Sequence, residues 1–204
     1  MDGDLREPGI LDVSDLPSVV FGARDLIWMG NFLYLLTNFM FMAVLVAAFF
    51  YLRTRVTPWP PSAPNPAWTL GLVDLGLLLG TLWPNTVARR AAQAGDLAKA
   101  RGAMWGLAGF GAAAIIVRIF LFGQLNIRWD SNAYGSIIVA LVAFNSAHLL
   151  VIWVETIVLA ILLHTGRRTA RTFVNLTTNA NYWNFVIITW CVAWFMVYPL
   201  SHWI

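Results

Sequence analysis

From Asp130 to Thr165 the chain reads DSNAYGSIIVALVAFNSAHLLVIWVETIVLAILLHT, a stretch without a single Lys or Arg. About 20 helical residues at 1.5 Å each cross the hydrocarbon core of a bilayer, so a helix this long spans it and tilts. Polar groups are costly at bilayer depth. Asn145, Ser146, His148 and Glu155, which interrupt the run, are therefore expected to face other helices, a polar cavity or a partner subunit. Function is sought there first.

Composition extends this to the whole chain. Of 204 residues, 59% are hydrophobic and 11% charged, with a mean hydropathy of +0.69; a soluble domain has too little core to hide so much apolar surface. The chain reads as an integral membrane protein. A pI near 9.4 raises nucleic acid as a partner, but the basic residues sit in short loops between apolar runs, where positive-inside topology explains them. No nucleic-acid partner is expected. Cys191 is the only cysteine, which excludes an intrachain disulfide and a cysteine cluster for zinc or iron–sulfur.

Residues 1–26 carry Asp2, Asp4, Glu7, Asp12, Asp15 and Asp25 without the apolar core of a signal peptide. They read as a polar tail that a partner would order. Five spans follow in residues 27–204, at about 27–52, 67–87, 103–124, 133–163 and 180–203. The first is charge-free and marked by Asn31, Thr37 and Asn38, and TPWPPSAPNP after it forms a stiff, extended connection. The second holds Asp74 and ends near Pro84, where a kink is expected. The third is rich in Gly and Ala, which permits close helix approach, and carries Arg118. Basic turns follow the second span (Arg89, Arg90, Lys99, Arg101) and the fourth (Arg167, Arg168, Arg171).

These turns and the tail (Arg6, Arg24) put nine Lys and Arg on one side, against Arg53, Arg55 and Arg128 on the other. The bias predicts a cytoplasmic amino terminus. Five spans then place the carboxyl terminus in the periplasm or outside the cell.

With that topology, Asp74 and Arg118 both fall roughly 10 Å deep from the same end of their spans and are expected to pair. Three roles stand open for them: a structural pair or subunit contact, a transport or proton role, or one group reaching the interface. Asn38 and His148 fall near the middle of the bilayer, with Asn145 one turn from His148 on the same face; an interhelical hydrogen-bond cluster is expected. A metal or haem ligand set fails on number, because His148, His164 and His202 are the only histidines and lie at three different depths. Glu155, two turns beyond His148, is either a proton-carrying carboxylate or a group reaching the inner interface.

In several ordered stretches the chain resembles a family. Short, five-span forms of subunit III of haem-copper oxidases have a Tyr-Gly-Ser motif opening a helix that continues to Phe-His-Gly-x-His. Tyr134, Gly135 and Ser136, followed by Phe144, Asn145, Ser146, Ala147 and His148, are similar. The family's terminal Tyr-Trp-His-Phe-Val-Asp-x-x-Trp resembles Tyr182, Trp183, Asn184, Phe185, Val186, Ile187, Ile188, Thr189 and Trp190. Its first-helix Ser-Glu-x-x-Phe-Phe resembles Thr37 to Met42, and Gln124 and the Gly95–Asp96 turn also fit. The chain departs from the family at Asn38, Asn145, Asn184 and Ile187, where Glu, His, His and Asp are usual; Asn keeps hydrogen bonding but carries no charge.

The resemblance implies an all-α integral membrane bundle of five transmembrane helices, like subunit III of cytochrome c oxidase. It implies an accessory subunit of the cell inner (plasma) membrane, without catalytic, cofactor-binding or metal-binding residues of its own. Haem and copper would lie in a partner, the catalytic subunit I, beside other oxidase subunits. Spans one and two would stand apart, leaving a V-shaped cleft for bound phospholipid, and the chain would support the partner's stability and proton entry. Two alternatives are an accessory subunit of a nitric oxide reductase-type complex, and a small transporter using Asp74, Arg118 and Glu155. A transporter is expected to show related halves, and the sequence has no internal repeat.

Overall fold

The computed structural model describes residues 25–60, 66–165 and 170–200. The acidic tail up to residue 24, Arg167 and Arg168, and His202 lie outside the described residues. Among those described, every element is a helix, and five are long and apolar enough to cross a membrane.

Local chemistry sets the helix starts. Helix α1 (Leu26–Arg55) begins at Asp25, whose Oδ1 accepts from the N–H groups of Ile27 at 2.7 Å and Trp28 at 3.0 Å. The second span is two helices in line, α2 (Trp68–Gly80) and α3 (Leu82–Ala94), joined at Thr81. Thr81 keeps helical backbone angles and its hydroxyl donates to the Leu78 carbonyl at 2.6 Å. Pro84 falls in the first turn of α3, where its missing N–H leaves no intrahelical bond unmade. Gly95, at φ +67°, supplies the left-handed residue that ends α3. Asp96 then caps α4 (Leu97–Gln124) by accepting from Lys99 N–H at 3.1 Å. Asn132 does the same for α5 (Ala133–His164), accepting from Gly135 N–H at 2.7 Å. Gly135 is needed as such, because a Cβ there would run into the Arg128 carbonyl oxygen. Helix α6 (Ala170–Phe195) passes into a wider π-helical turn, Met196–Leu200, which holds Pro199.

Three boundaries differ from those expected. The second span continues to Ala94 rather than Val87, the third begins at Leu97 rather than Ala103, and the fifth begins ten residues before Ala180, at Ala170. The last has a clear cause. Thr172, Thr177, Thr178 and Asn179 lower the hydropathy of this stretch, yet all are buried against the bundle rather than facing lipid.

The fifth span is the axis of the bundle. It packs against α1, α2, α3 and α5, and α4 fills the far side between α3 and α5. Of the most apolar window of the fifth span 61% is buried, against 11% for α1, which leans chiefly on α5 and α6 with most of its side chains turned outward. The first two spans therefore both pack on α6, the first beside α5 and the second beside α4. The paired, separate arrangement that the resemblance implied is not formed.

Small residues bring α4 into the bundle: Ala100, Ala103, Ala108, Gly111 and Ala114 are all buried. Lipid tails are as apolar as Leu, so helices in a bilayer associate through close packing and hydrogen bonds rather than through burial alone. Both are concentrated on the inner faces of α4, α5 and α6.

Candidate functional site

Asp74 and Arg118 meet as expected. Asp74 is fully buried on α2 and Arg118 is 3% exposed on α4. Arg118 donates from Nε at 3.1 Å and from Nη2 at 2.7 Å, both to Oδ2 of Asp74. Its remaining terminal nitrogen, Nη1, donates to Asn145 Oδ1 at 3.1 Å and to Ser146 Oγ at 3.0 Å on α5. Asn145 carries the chain of bonds onward to α6, its Nδ2 donating at 2.9 Å to both the Val186 carbonyl and Thr189 Oγ1. The Trp190 ring closes over the guanidinium, 3.6 Å from its central carbon. One charge pair thus joins four helices.

The geometry suits a charged group held far from water. Both donors from Arg118 go to a single carboxylate oxygen, and Oδ1 of Asp74 is buried without a hydrogen-bond partner among the described residues. Tyr198, on the π-helical turn, lies against Gly71 one turn before Asp74, filling the space a side chain at 71 would take. On the outer surface, a recess of about 200 Å³ between α4 and α5 reaches Arg118 and Ser146 past Ile115, Ile119 and Leu149. Each charge is neutralised by the other, so the site fixes helix positions rather than presenting net charge.

His148 belongs to a second cluster. Its Nδ1 is 2.7 Å from the Tyr182 hydroxyl, which lies 3.3 Å from the Tyr34 hydroxyl, so the group joins α5, α6 and α1. Phe144 and Phe185 meet the imidazole edge-on, at centroid distances of 4.6 and 5.2 Å. Asn145 and His148 share a face of α5, as expected, but serve different networks. Asn38 joins neither: its Nδ2 donates at 2.8 Å to the Tyr34 carbonyl of its own helix. The single Asn38–His148 cluster expected from depth is therefore replaced by a bond within α1.

Glu155 is half-buried on α5 and within electrostatic reach of Asn179 and Tyr182. It sits ten residues beyond Asn145, about 15 Å along the helix, so no continuous chain of hydrogen bonds among the described residues links it to the Arg118 pair. Beside it, Thr156 Oγ1 accepts from Trp183 Nε1 at 2.9 Å and contacts Asn179 Oδ1 at 3.3 Å. His164 is at the far end of α5, where its Nε2 accepts from Trp105 Nε1 at 3.1 Å. Among the described residues no three His, Cys, Asp or Glu side chains gather at one point.

Sequence reasoning missed Thr189, Trp190, Tyr182 and Tyr34 as partners of the polar candidates. The spacing of Tyr182, Phe185 and Thr189 at three- and four-residue intervals marks one face of α6, and that face meets Asn145 and His148, with Trp190 directly after Thr189. The helix-opening stretch on α5 and the terminal stretch on α6 are thus interlocked. No protein-family model and no curated protein matches the chain.

Proposed function

We propose that the chain is an accessory membrane subunit of the subunit III type, seated beside the catalytic subunit of a haem-copper oxidase. In this reading it spans the cell inner membrane with its amino terminus in the cytoplasm, contacts phospholipid, and supports its partner's stability and proton entry during electron transfer to oxygen. Haems and copper belong to the partner.

The observation that supports it most is the meeting of the two stretches that resemble the family. His148 reaches Tyr182, and Asn145 reaches Val186 and Thr189, across the α5–α6 contact. Similar stretches far apart in sequence become one packed unit, as a shared architecture requires. The flank of α1, with Phe32, Leu33, Phe39 and Met40 turned outward, gives the bundle a broad apolar face for lipid or a neighbouring subunit.

The test is isolation of the tagged chain in mild detergent, followed by a reduced-minus-oxidised absorption spectrum. Co-purification with a haem-bearing polypeptide that reduces oxygen is the expected result. Reduction of nitric oxide in place of oxygen would move the assignment to a reductase complex. A haem-free assembly of this chain alone overturns it.

A further inference from the structure

α1 and the second span both pack on α6 but have no substantial contact with each other among the described residues, and a strip of α6 beside α1 is left open. Phe32, Leu35, Leu36 and Phe39 of α1 form one wall of a groove of about 260 Å³, and Asn181 and Asn184 lie on its floor. Both carboxamides are half-buried and sit roughly 14 to 18 Å along the membrane-spanning part of the fifth span, which begins at Thr172. Asn184 Oδ1 accepts from Asn85 Nδ2 at 2.9 Å, but its own N–H groups find no acceptor among the described residues. The Asn181 side chain forms no hydrogen bond with them.

Phe185 and Ile188 make the rest of the floor apolar, but lipid tails offer neither donors nor acceptors, so the two amides set among these apolar side chains are poorly served by an acyl chain. A helix with a polar side chain at the matching height satisfies it, as Asn and Gln do between transmembrane helices. We infer that this groove receives a transmembrane helix of a partner polypeptide, which presents a hydrogen-bonding side chain to Asn181 and Asn184. That the partner is the catalytic oxidase subunit rests on the proposed function; the need for a polar partner helix does not.

Asn181→Leu separates docking from folding, because the native side chain makes no hydrogen bond among the described residues. Ile188, which also lines the groove, is replaced by the photoreactive residue benzoylphenylalanine, and the full complex is irradiated in native membranes. The expected result is an adduct with a different polypeptide. Its yield should drop about three- to twentyfold when Asn181→Leu is added, the range that one interhelical hydrogen bond is worth, while thermal unfolding of the detergent-purified chain is not lowered. Adducts with lipid alone, adducts with a second copy of this chain, or a yield indifferent to Asn181→Leu overturn the inference. A haem-free partner in the adduct would leave the groove assignment standing and sink the oxidase reading. A haem-bearing complex that purifies without any adduct at 188 would do the reverse.

Discussion

The guanidinium carbon of Arg118 lies 3.6 Å from the centre of the Trp190 ring while two of its N–H groups hold one oxygen of Asp74. A cation on an indole face gains up to about 2 kcal/mol when desolvated, so the pair is stabilised from the α6 side as well as from α2. Because the carboxylate is fully buried, its partner is indispensable: Arg118→Leu would leave a charge in the bundle with nothing to offset it. Losing one member of such a pair costs about 3–5 kcal/mol. Thermal unfolding of the detergent-solubilised protein should show that loss, and Asp74→Asn added to it should recover a part. A double variant no more stable than Arg118→Leu alone would mean that the two are not one energetic unit.

Gly111 shows a second dependence, of packing rather than charge. A Cβ at this position would stand 2.7 Å from Trp153 Cδ1 and 2.9 Å from Trp183 Cη2. Neither indole can retreat freely, since Trp153 Nε1 donates to the Ala108 carbonyl and Trp183 Nε1 to Thr156, both at 2.9 Å. Gly111→Ala should therefore destabilise by about 1–3 kcal/mol. Two residues earlier, at Gly109, a methyl group would meet nothing within 4 Å, and Gly109→Ala should be neutral or stabilising by up to about 1 kcal/mol. Comparing the two variants in one unfolding assay checks both expectations.

Depth is enough to bring Asp74 and Arg118 together from sequence, because both lie near the same end of neighbouring antiparallel helices and each needs an opposite charge. Depth says nothing of rotation about the helix axis. Asn38 and His148 share a level, yet Asn38 satisfies itself on the Tyr34 carbonyl one turn back, a local bond that competes with any partner across the bundle. Trp190 and Thr189 are illegible for a related reason: within an apolar run, nothing distinguishes an aromatic facing lipid from one facing a cation. The start of α6 is hidden by hydropathy itself, since Thr177, Thr178 and Asn179 look like a loop but are buried in the protein. The start of α4, expected at Ala103, lies six residues earlier, where Gly95 and Asp96 mark it with a left-handed stop followed by a cap, a signal that the polar residues of the turn outweigh in hydropathy.

That cap titrates. The Lys99 ammonium, 3.0 Å from Asp96, and the Lys99 N–H hold the Asp96 carboxyl below the usual carboxylate range. A carboxyl whose value is depressed on folding stabilises fully above its unfolded value, about 3.9, and loses that contribution as pH falls through the lower folded value. Hydrogen exchange at the Lys99 amide, corrected for the intrinsic pH dependence, should therefore be protected near neutrality and lose protection only below about pH 4. In Asp96→Ala the amide should exchange faster at neutral pH, and the gap from wild type should close on acidification. A gap that stays constant down to about pH 2, below the usual carboxylate range, would show that the carboxylate is not the group protecting this amide.

The Tyr182 hydroxyl is shared between His148 Nδ1, 2.7 Å away on α5, and the Tyr34 hydroxyl, 3.3 Å away on α1. Since α1 packs on the bundle chiefly through α5 and α6, this hydroxyl and the bond from Asn31 Nδ2 to the Thr178 carbonyl at 2.9 Å are polar ties holding α1 in register. Tyr182→Phe keeps the ring among Tyr34, Phe185 and His148 but cuts one tie. Hydrogen bonds between transmembrane helices are worth about 0.6–1.7 kcal/mol, so the single variant should unfold more easily by that order. His148→Phe should cost a similar amount, and the double variant should cost less than the two together, because both remove the same bond. Strict additivity in that cycle would show that His148 and Tyr182 are neighbours without being partners.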